Sequence, residues 1–242
     1  MPWLQSATQA VAPPADGPRT EVSPTEPPLA IQPSAIAEGQ GQPLSGSQYI
    51  DDYRFVDDFS SEALGWPVFD DGVTILGYEP DETYSIQITR PDFLDWAYVP
   101  ADFIVYEISF DVWAAPGNND GTFGVMCQFQ DPDNYYFVEF DLGAGQYQIG
   151  HIQNSFVSTL TDPGWAYSSE LNGATSVNRI GIGCYLDYVS LYINDQWVNE
   201  VSIAAPFDSP APAAFFIHTI DTADSDGYKV YIDNVEAWQP AQ

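Results

Sequence analysis

Between Ile104 and Val112 the chain reads Ile-Val-Tyr-Glu-Ile-Ser-Phe-Asp-Val, with a large apolar side chain at every second position and mixed residues between them. In an extended chain, side chains two apart point the same way, so such a run buries one face of a strand and leaves the other wet. A helix would scatter the same residues around its circumference. The pattern recurs: Tyr84, Ile86 and Ile88 alternate with Ser85, Gln87 and Thr89, and further strands are predicted at 123–129, 135–142, 146–153, 179–186, 188–193, 196–203, 213–219 and 228–237.

Turn chemistry separates these runs. Asp131-Pro132-Asp133-Asn134 puts proline where a type I turn accepts it, and Asn194-Asp195 suits a two-residue hairpin. No stretch offers a convincing amphipathic helix. Many short strands divided by regular turns predict an all-β fold, an antiparallel two-sheet jelly-roll sandwich.

Residues 1–48 follow different rules. They hold nine of the 20 prolines, a single aromatic (Trp3), and only Asp16, Arg19, Glu21, Glu26 and Glu38 as charges. A segment of this composition cannot bury a core, so an extended Pro-rich arm over 1–48 is expected beside a sandwich domain over 49–242. Fully extended, the arm would reach on the order of 150 Å. Its Trp3-Leu4 tip is the expected anchor on another molecule.

Charge excludes two classes of partner. Five Lys+Arg stand against 35 Asp+Glu, a formal net charge of -30, which repels nucleic acid and anionic membrane. No run of 18 apolar residues is present, so no membrane insertion is expected. Carboxylates in such excess must be hydrated, protonated or bound to cations, and calcium suits oxygen ligands. Cys127 and Cys184 lie in apolar strand-like runs rather than in a C-x-x-C, against zinc or iron-sulfur binding. They form a disulfide in an oxidising compartment and are small core residues in a reducing one. The former is expected for a protein outside the cell or on its surface.

Glu139 and Asp141 are the pair that most looks catalytic. Two apart on a strand, they share a face at about 7 Å, within the range used by glycosidase carboxylates. The same face carries Tyr135 and Phe137. His151 and His218 are far apart in sequence and accompany no hydrolase signature, so both are read as core-edge or surface residues. Among the many aromatic residues, exposed rings would form a sugar-stacking platform, and Tyr135, Glu139 and Trp113 are the expected glycan-facing residues.

Four groups of residues, read together, resemble a known family: Asp57-Asp58-Phe59-Ser60 with Gly65-Trp66; Phe123-Gly124-Val125-Met126-Cys127 with Asp133-Asn134-Tyr135-Tyr136; Leu191-Tyr192-Ile193-Asn194; and Tyr231-Ile232-Asp233-Asn234-Val235. In order and spacing they are similar to the concanavalin A-like lectin/glucanase jelly roll, in its laminin-G-like and 3-keto-disaccharide-hydrolase-like form found in bacterial secreted proteins. The likeness spans about residues 51–238. It implies that the last strand closes the sandwich beside the first, and that a structural calcium sits there, with Asp58 and Asp233 as its ligands. Family 16 glucanases of this fold carry a third acid after a Glu-x-Asp pair, whereas Leu142-Gly143-Ala144-Gly145 follows Asp141 here. The expectation is therefore a non-enzymatic extracellular structural protein whose arm docks on copies of itself, in a filament, sheath or surface layer. The alternative is a lectin-like module that binds polysaccharide.

Overall fold

The computed structural model describes residues 42–43, 49–50, 54–101, 107–117, 120–203, 213–220 and 227–239. Trp3 and Leu4, and with them nearly all of the expected arm, lie outside the described residues. Among the described residues every regular element is a strand. In chain order these are β1 (Gln42–Pro43), β2 (Tyr49–Ile50), β3 (Arg54–Asp57), β4 (Phe69–Asp70), β5 (Thr74–Tyr78) and β6 (Tyr84–Ile88). Next come β7 (Phe93–Tyr98), β8 (Glu107–Ala114), β9 (Gly121–Asp131), β10 (Asn134–Asp141), β11 (Gln146–Gln153) and β12 (Phe156–Thr159). The last six are β13 (Ala166–Tyr167), β14 (Asn178–Cys184), β15 (Tyr188–Ile193), β16 (Gln196–Ser202), β17 (Ala214–Thr219) and β18 (Tyr228–Trp238).

The strands form two antiparallel sheets packed as a sandwich. One runs β1-β2-β3-β18-β8-β14-β15-β16, with β6, β5 and β4 continuing from β18; the other runs β12-β11-β10-β9-β17-β7, with β13 against β11. The first substantial strand and the last pair directly, Val235 opposite Asp57. Turn residues set the registers. Asn194 and Asp195 both take positive φ (50 and 63), the geometry whose twist matches the flanking strands β15 and β16. The Asp131 carboxylate accepts from the Asp133 amide (2.8 Å) and from Asn134 Nδ2 (2.9 Å), closing the β9–β10 hairpin.

The alternation read in the sequence decides which residues meet. Ile108, Phe110 and Val112 of β8, Ile180 and Ile182 of β14, and Val189, Leu191 and Ile193 of β15 face Phe123, Val125, Val138, Phe140, Phe215 and Ile217 of the opposite sheet. Trp66 closes one end, stacked on Phe215 at 5.7 Å and donating from its indole to Asp57 Oδ2 at 2.8 Å. Asp57 is fully buried and also accepts the Phe59 amide (2.8 Å), so its carboxylate is met by hydrogen-bond donors. Cys127 of β9 and Cys184 of β14 are joined as a disulfide across the sandwich, enclosing a sequence separation of 57.

Two bulges break the alternation. At Gln128 (φ 46) the β9–β10 register shifts, and Phe129, which strict alternation would send into the sandwich with Phe123 and Val125, turns to the outer face. At Asn234 (φ 50) β18 shifts against β8, which returns Val235 and Ala237 to the core after Ile232.

Candidate functional site

The outward face of the seven-stranded sheet is unusual in carrying a second apolar cluster and a buried carboxylate side by side. Register places Trp96 of β7, Phe216 of β17, Gly124 of β9, Glu139 of β10 and Gln148 of β11 in one row across five strands. The neighbouring row is Tyr98, Ala214, Met126, Phe137 and Gly150. The two glycines are there because rings lie on them: a Cβ at 124 would overlap the Phe216 ring, and one at 150 would meet Phe137 Cζ at 2.5 Å. Phe129, brought to this face by the bulge, stacks on Tyr135 (5.7 Å) and meets Tyr98 edge-on (5.5 Å), so the rings form a continuous ladder towards the Tyr98 edge.

Beside this ladder sits a polar centre. Glu139 is 6% exposed, yet both oxygens are occupied. Thr122 Oγ1 donates to Oε1, Gln148 Nε2 donates to Oε2 at 2.6 Å, and His218 Nδ1 stands 3.7 Å from Oε1. The attraction of Glu139, as hydrogen-bond acceptor and then as charge, holds the His218 imidazole above its ordinary pKa; burial opposes the shift and Asp92 adds to it. Tyr135 is pushed the same way: burial, then the charge of Glu139, raises its phenol to about 12. A carboxylate fixed by donors from the two flanking strands, with an imidazole beside it and aromatic rings around it, is a polar centre suited to a hydroxylated ligand.

The structure sorts the residues expected from sequence. Glu139 and Tyr135 share this face, but Tyr135 is buried between Phe129 and Phe137 rather than offered as a free platform. Trp113 does not belong with them. It lies on β8, on the outer face of the other sheet, stacked on Tyr231 at 5.7 Å, because Val112 and Ala114 on either side of it point into the core. Asp141 is on the Glu139 face, but its Oδ1 accepts the Ala144 amide (2.8 Å) and shapes the β10–β11 turn. His218, read from sequence as a bystander, instead meets Glu139. No linear spacing announces that contact, since it depends on β17 and β10 both flanking β9.

Asp58 and Asp233 lie near the junction of β3 and β18. Asp58 Oδ1 accepts from Ser60 Oγ (2.7 Å), and Asp233 Oδ1 accepts from the Asn234 amide (2.7 Å). Burial, then the charges of Asp111, Asp58 and Asp57, raises the pKa of Asp233. Arg179, 3.6 Å from Asp111, supplies positive charge to the same neighbourhood. Among the described residues no three His, Cys, Asp or Glu side chains are grouped to hold a metal.

No protein-family model matches the sequence, and no curated protein does. Solved structures do share the architecture. Carbohydrate binding module CBM66 from Bacillus subtilis superposes with a TM-score of 0.54 at 13% identity, covering 72% of this chain and 95% of that one. A prokaryotic β-1,3-1,4-glucanase (lichenase) derived from a mouse hindgut metagenome gives 0.57 at 12%, covering 78% and 100%. Bacillus licheniformis β-glucanase gives 0.55 at 9%, covering 78% and 99%. The fold is the concanavalin A-like jelly roll. The expectation that the chain is not an enzyme is corrected here, because two of these three concanavalin A-like structures are glucanases. That expectation rested on the missing third acid, a linear criterion. In the sandwich, Glu139 draws its partners from β9, β11 and β17 rather than from its own strand.

Proposed function

We propose that the protein recognises polysaccharide, outside the cell, on the outward face of its seven-stranded sheet, with Glu139 at the centre of the site. The observation that carries this reading is the row Trp96-Phe216-Gly124-Glu139-Gln148: one buried carboxylate and the side-chain amide that donates to it, set beside a ladder of rings. Sugars bind by this combination: the half-buried Trp96 and the exposed Tyr98 are the rings open to their C–H faces, over a base of buried rings, with a few fixed polar groups for their hydroxyls. Solved structures of the same fold include a carbohydrate binding module and two glucanases, which supports a glycan as the ligand. A net charge of -30 selects against uronate-rich or sulfated polymers and leaves neutral glycans as the ligand class.

A second reading is favoured by His218. An imidazole held above its ordinary pKa, 3.7 Å from a carboxylate on the middle of the face, is an acid-base pair that could act on a glycosidic bond. Titration calorimetry of the wild type and Glu139→Gln with neutral oligosaccharides, beside a reducing-end assay on the same mixtures, separates the two. Binding lost with no product in either protein supports recognition alone. Product formed by the wild type and abolished in Glu139→Gln supports hydrolysis. Binding unchanged in Glu139→Gln overturns this site. Assembly through the arm rests on residues outside those described.

A further inference from the structure

Among the described residues, every strand that ends a sheet is blunted except one. β1 carries Pro43, β4 Asp70, β7 Asp95 and β16 Glu200, while β13 is only two residues long. Proline, charge and shortness are the usual means by which a sheet edge refuses a further strand. β12 reads Phe-Val-Ser-Thr, with neither charge nor proline, and all four residues are exposed, Phe156 at 77% and Val157 at 64%. The exception extends beyond the strand. From Leu142 to Thr161 the chain runs 20 residues without an acid, its longest such run among 35 Asp+Glu, and β11 and β12 both lie within it.

The backbone of β12 is laid out to pair again. Leu160 donates its amide to the Ile149 carbonyl at 2.7 Å, in the register that continues through Ser158 opposite His151 and Phe156 opposite Gln153. Bonded and non-bonded pairs alternate in an antiparallel ladder, so Phe156 and Ser158 direct their polar groups to β11 and those of Val157 and Thr159 point away from the sheet. No strand lies beyond them among the described residues. Side chains alternate as well. Val157 and Thr159, opposite Ile152 and Gly150, are on the Glu139 face; Phe156 and Ser158 are on the other, with Leu160, which packs against the core.

We propose that β12 is a dimer edge and that its partner is β12 of a second copy. A two-fold axis normal to the sheet at Ser158 pairs Val157 with Thr159 of the other copy and Thr159 with its Val157. Four backbone bonds then use the groups that β11 leaves free, and Phe156 lies against Leu160 of the other copy. Charge argues for this partner. Two molecules of net charge -30 repel wherever acids meet, so they approach most easily along an acid-free edge, whereas a basic partner would be drawn to the acidic ones. Asp133, which accepts from Ser155 Oγ at 2.7 Å, and Asp162 flank the strand at its two ends. The axis brings each towards the other across the dimer, so association strengthens with ionic strength. The pairing joins two seven-stranded sheets into one, with both Glu139 faces on the same side and the two carboxylates about 30 Å apart. One polysaccharide chain then meets two sites, and the second contact is made at high effective concentration. That consequence rests on the function proposed above; the dimer does not.

The test is sedimentation velocity of the full chain over a range of protein and salt concentrations, for the wild type, Val157→Pro and Phe156→Ser. The Val157 amide points away from β11, so proline there leaves the β11–β12 ladder whole, and thermal melts check that both variants stay folded. A dimer is expected in the wild type, with its Kd raised about tenfold or more in each variant. A wild type that stays monomeric at high protein and salt concentration overturns the edge, as does a dimer that both variants keep. Calorimetry with a short neutral oligosaccharide separates the two readings. Equal affinity per protomer in wild type and Val157→Pro, with binding to the long polymer weakened in the variant alone, supports both. A dimer lost in the variants, with no oligosaccharide bound by any form, supports the edge and overturns only the function assigned to the Glu139 face.

Discussion

His218 Nδ1 lies 3.7 Å from Glu139 Oε1, although the two residues are 79 positions apart and on strands that do not pair with each other. Strand β9 lies between them, and Thr122 on β9 donates to the same carboxylate oxygen. The contact raises the imidazole pKa in the folded protein above its unfolded value. The stability it contributes is therefore present in full below the unfolded pKa and is lost as pH rises through the folded one. Glu139→Gln is expected to lower the His218 pKa, read from its imidazole proton shifts. The stability difference between wild type and variant is expected to shrink as pH climbs above neutrality. An unmoved His218 titration would dissociate the pair.

The inter-sheet disulfide closes a sequence separation of 57. By chain-entropy arithmetic, opening such a loop costs about 4 kcal/mol, or roughly 10 °C in Tm for a chain of this size. Cys127→Ala with Cys184→Ala is expected to show that drop in a thermal melt, with the far-ultraviolet spectrum retained.

Gly124 is a packing position. A Cβ there would overlap the Phe216 ring and stand 2.6 Å from the Val138 carbonyl oxygen. Gly124→Ala is expected to lose about 2 kcal/mol in denaturant unfolding and to weaken polysaccharide binding on that face, because Phe216 must swing away. Gly181→Ala, whose Cβ has room, provides the stability comparison.

Much of this architecture was legible in the chain. Alternation gave β11 and β15 their full ranges and sent Val138 and Phe140 inward, opposite Phe137 and Glu139, because a two-residue period survives wherever one face is buried. The short edge strands β4 and β13, two residues each, carry no period to read. Phe129 was not assignable, since a single left-handed residue at Gln128 reverses its side. The site was less legible than the fold: Glu139 stood out as an acid in an apolar run, but Thr122, Gln148 and His218 become its partners only through cross-strand register, and Trp113 shares a residue type with the site while lying on the other sheet.

Asp233 carries a raised pKa, from burial first and then from the charges of Asp111, Asp58 and Asp57. A carboxyl whose folded pKa exceeds its unfolded one favours the folded state only at low pH, and that advantage is lost as pH rises through the folded value. Asp233→Asn is accordingly expected to raise Tm at neutral pH in chelator-containing buffer, read by calorimetry. A wild-type Tm that rises with added calcium, and fails to do so in the variant, would instead give Asp58 and Asp233 to a cation.

Cys127 sits on β9, the strand between those bearing Glu139 and His218, while Cys184 sits on β14, next to Gly183. The covalent link thus runs from the strand under one outer face to the strand under the other. A pull on one sheet against the other would pass through a sulfur-sulfur bond, and the aromatic layer between the sheets would be spared from shear. Reduction would convert a tie rod into two plates held by contact alone.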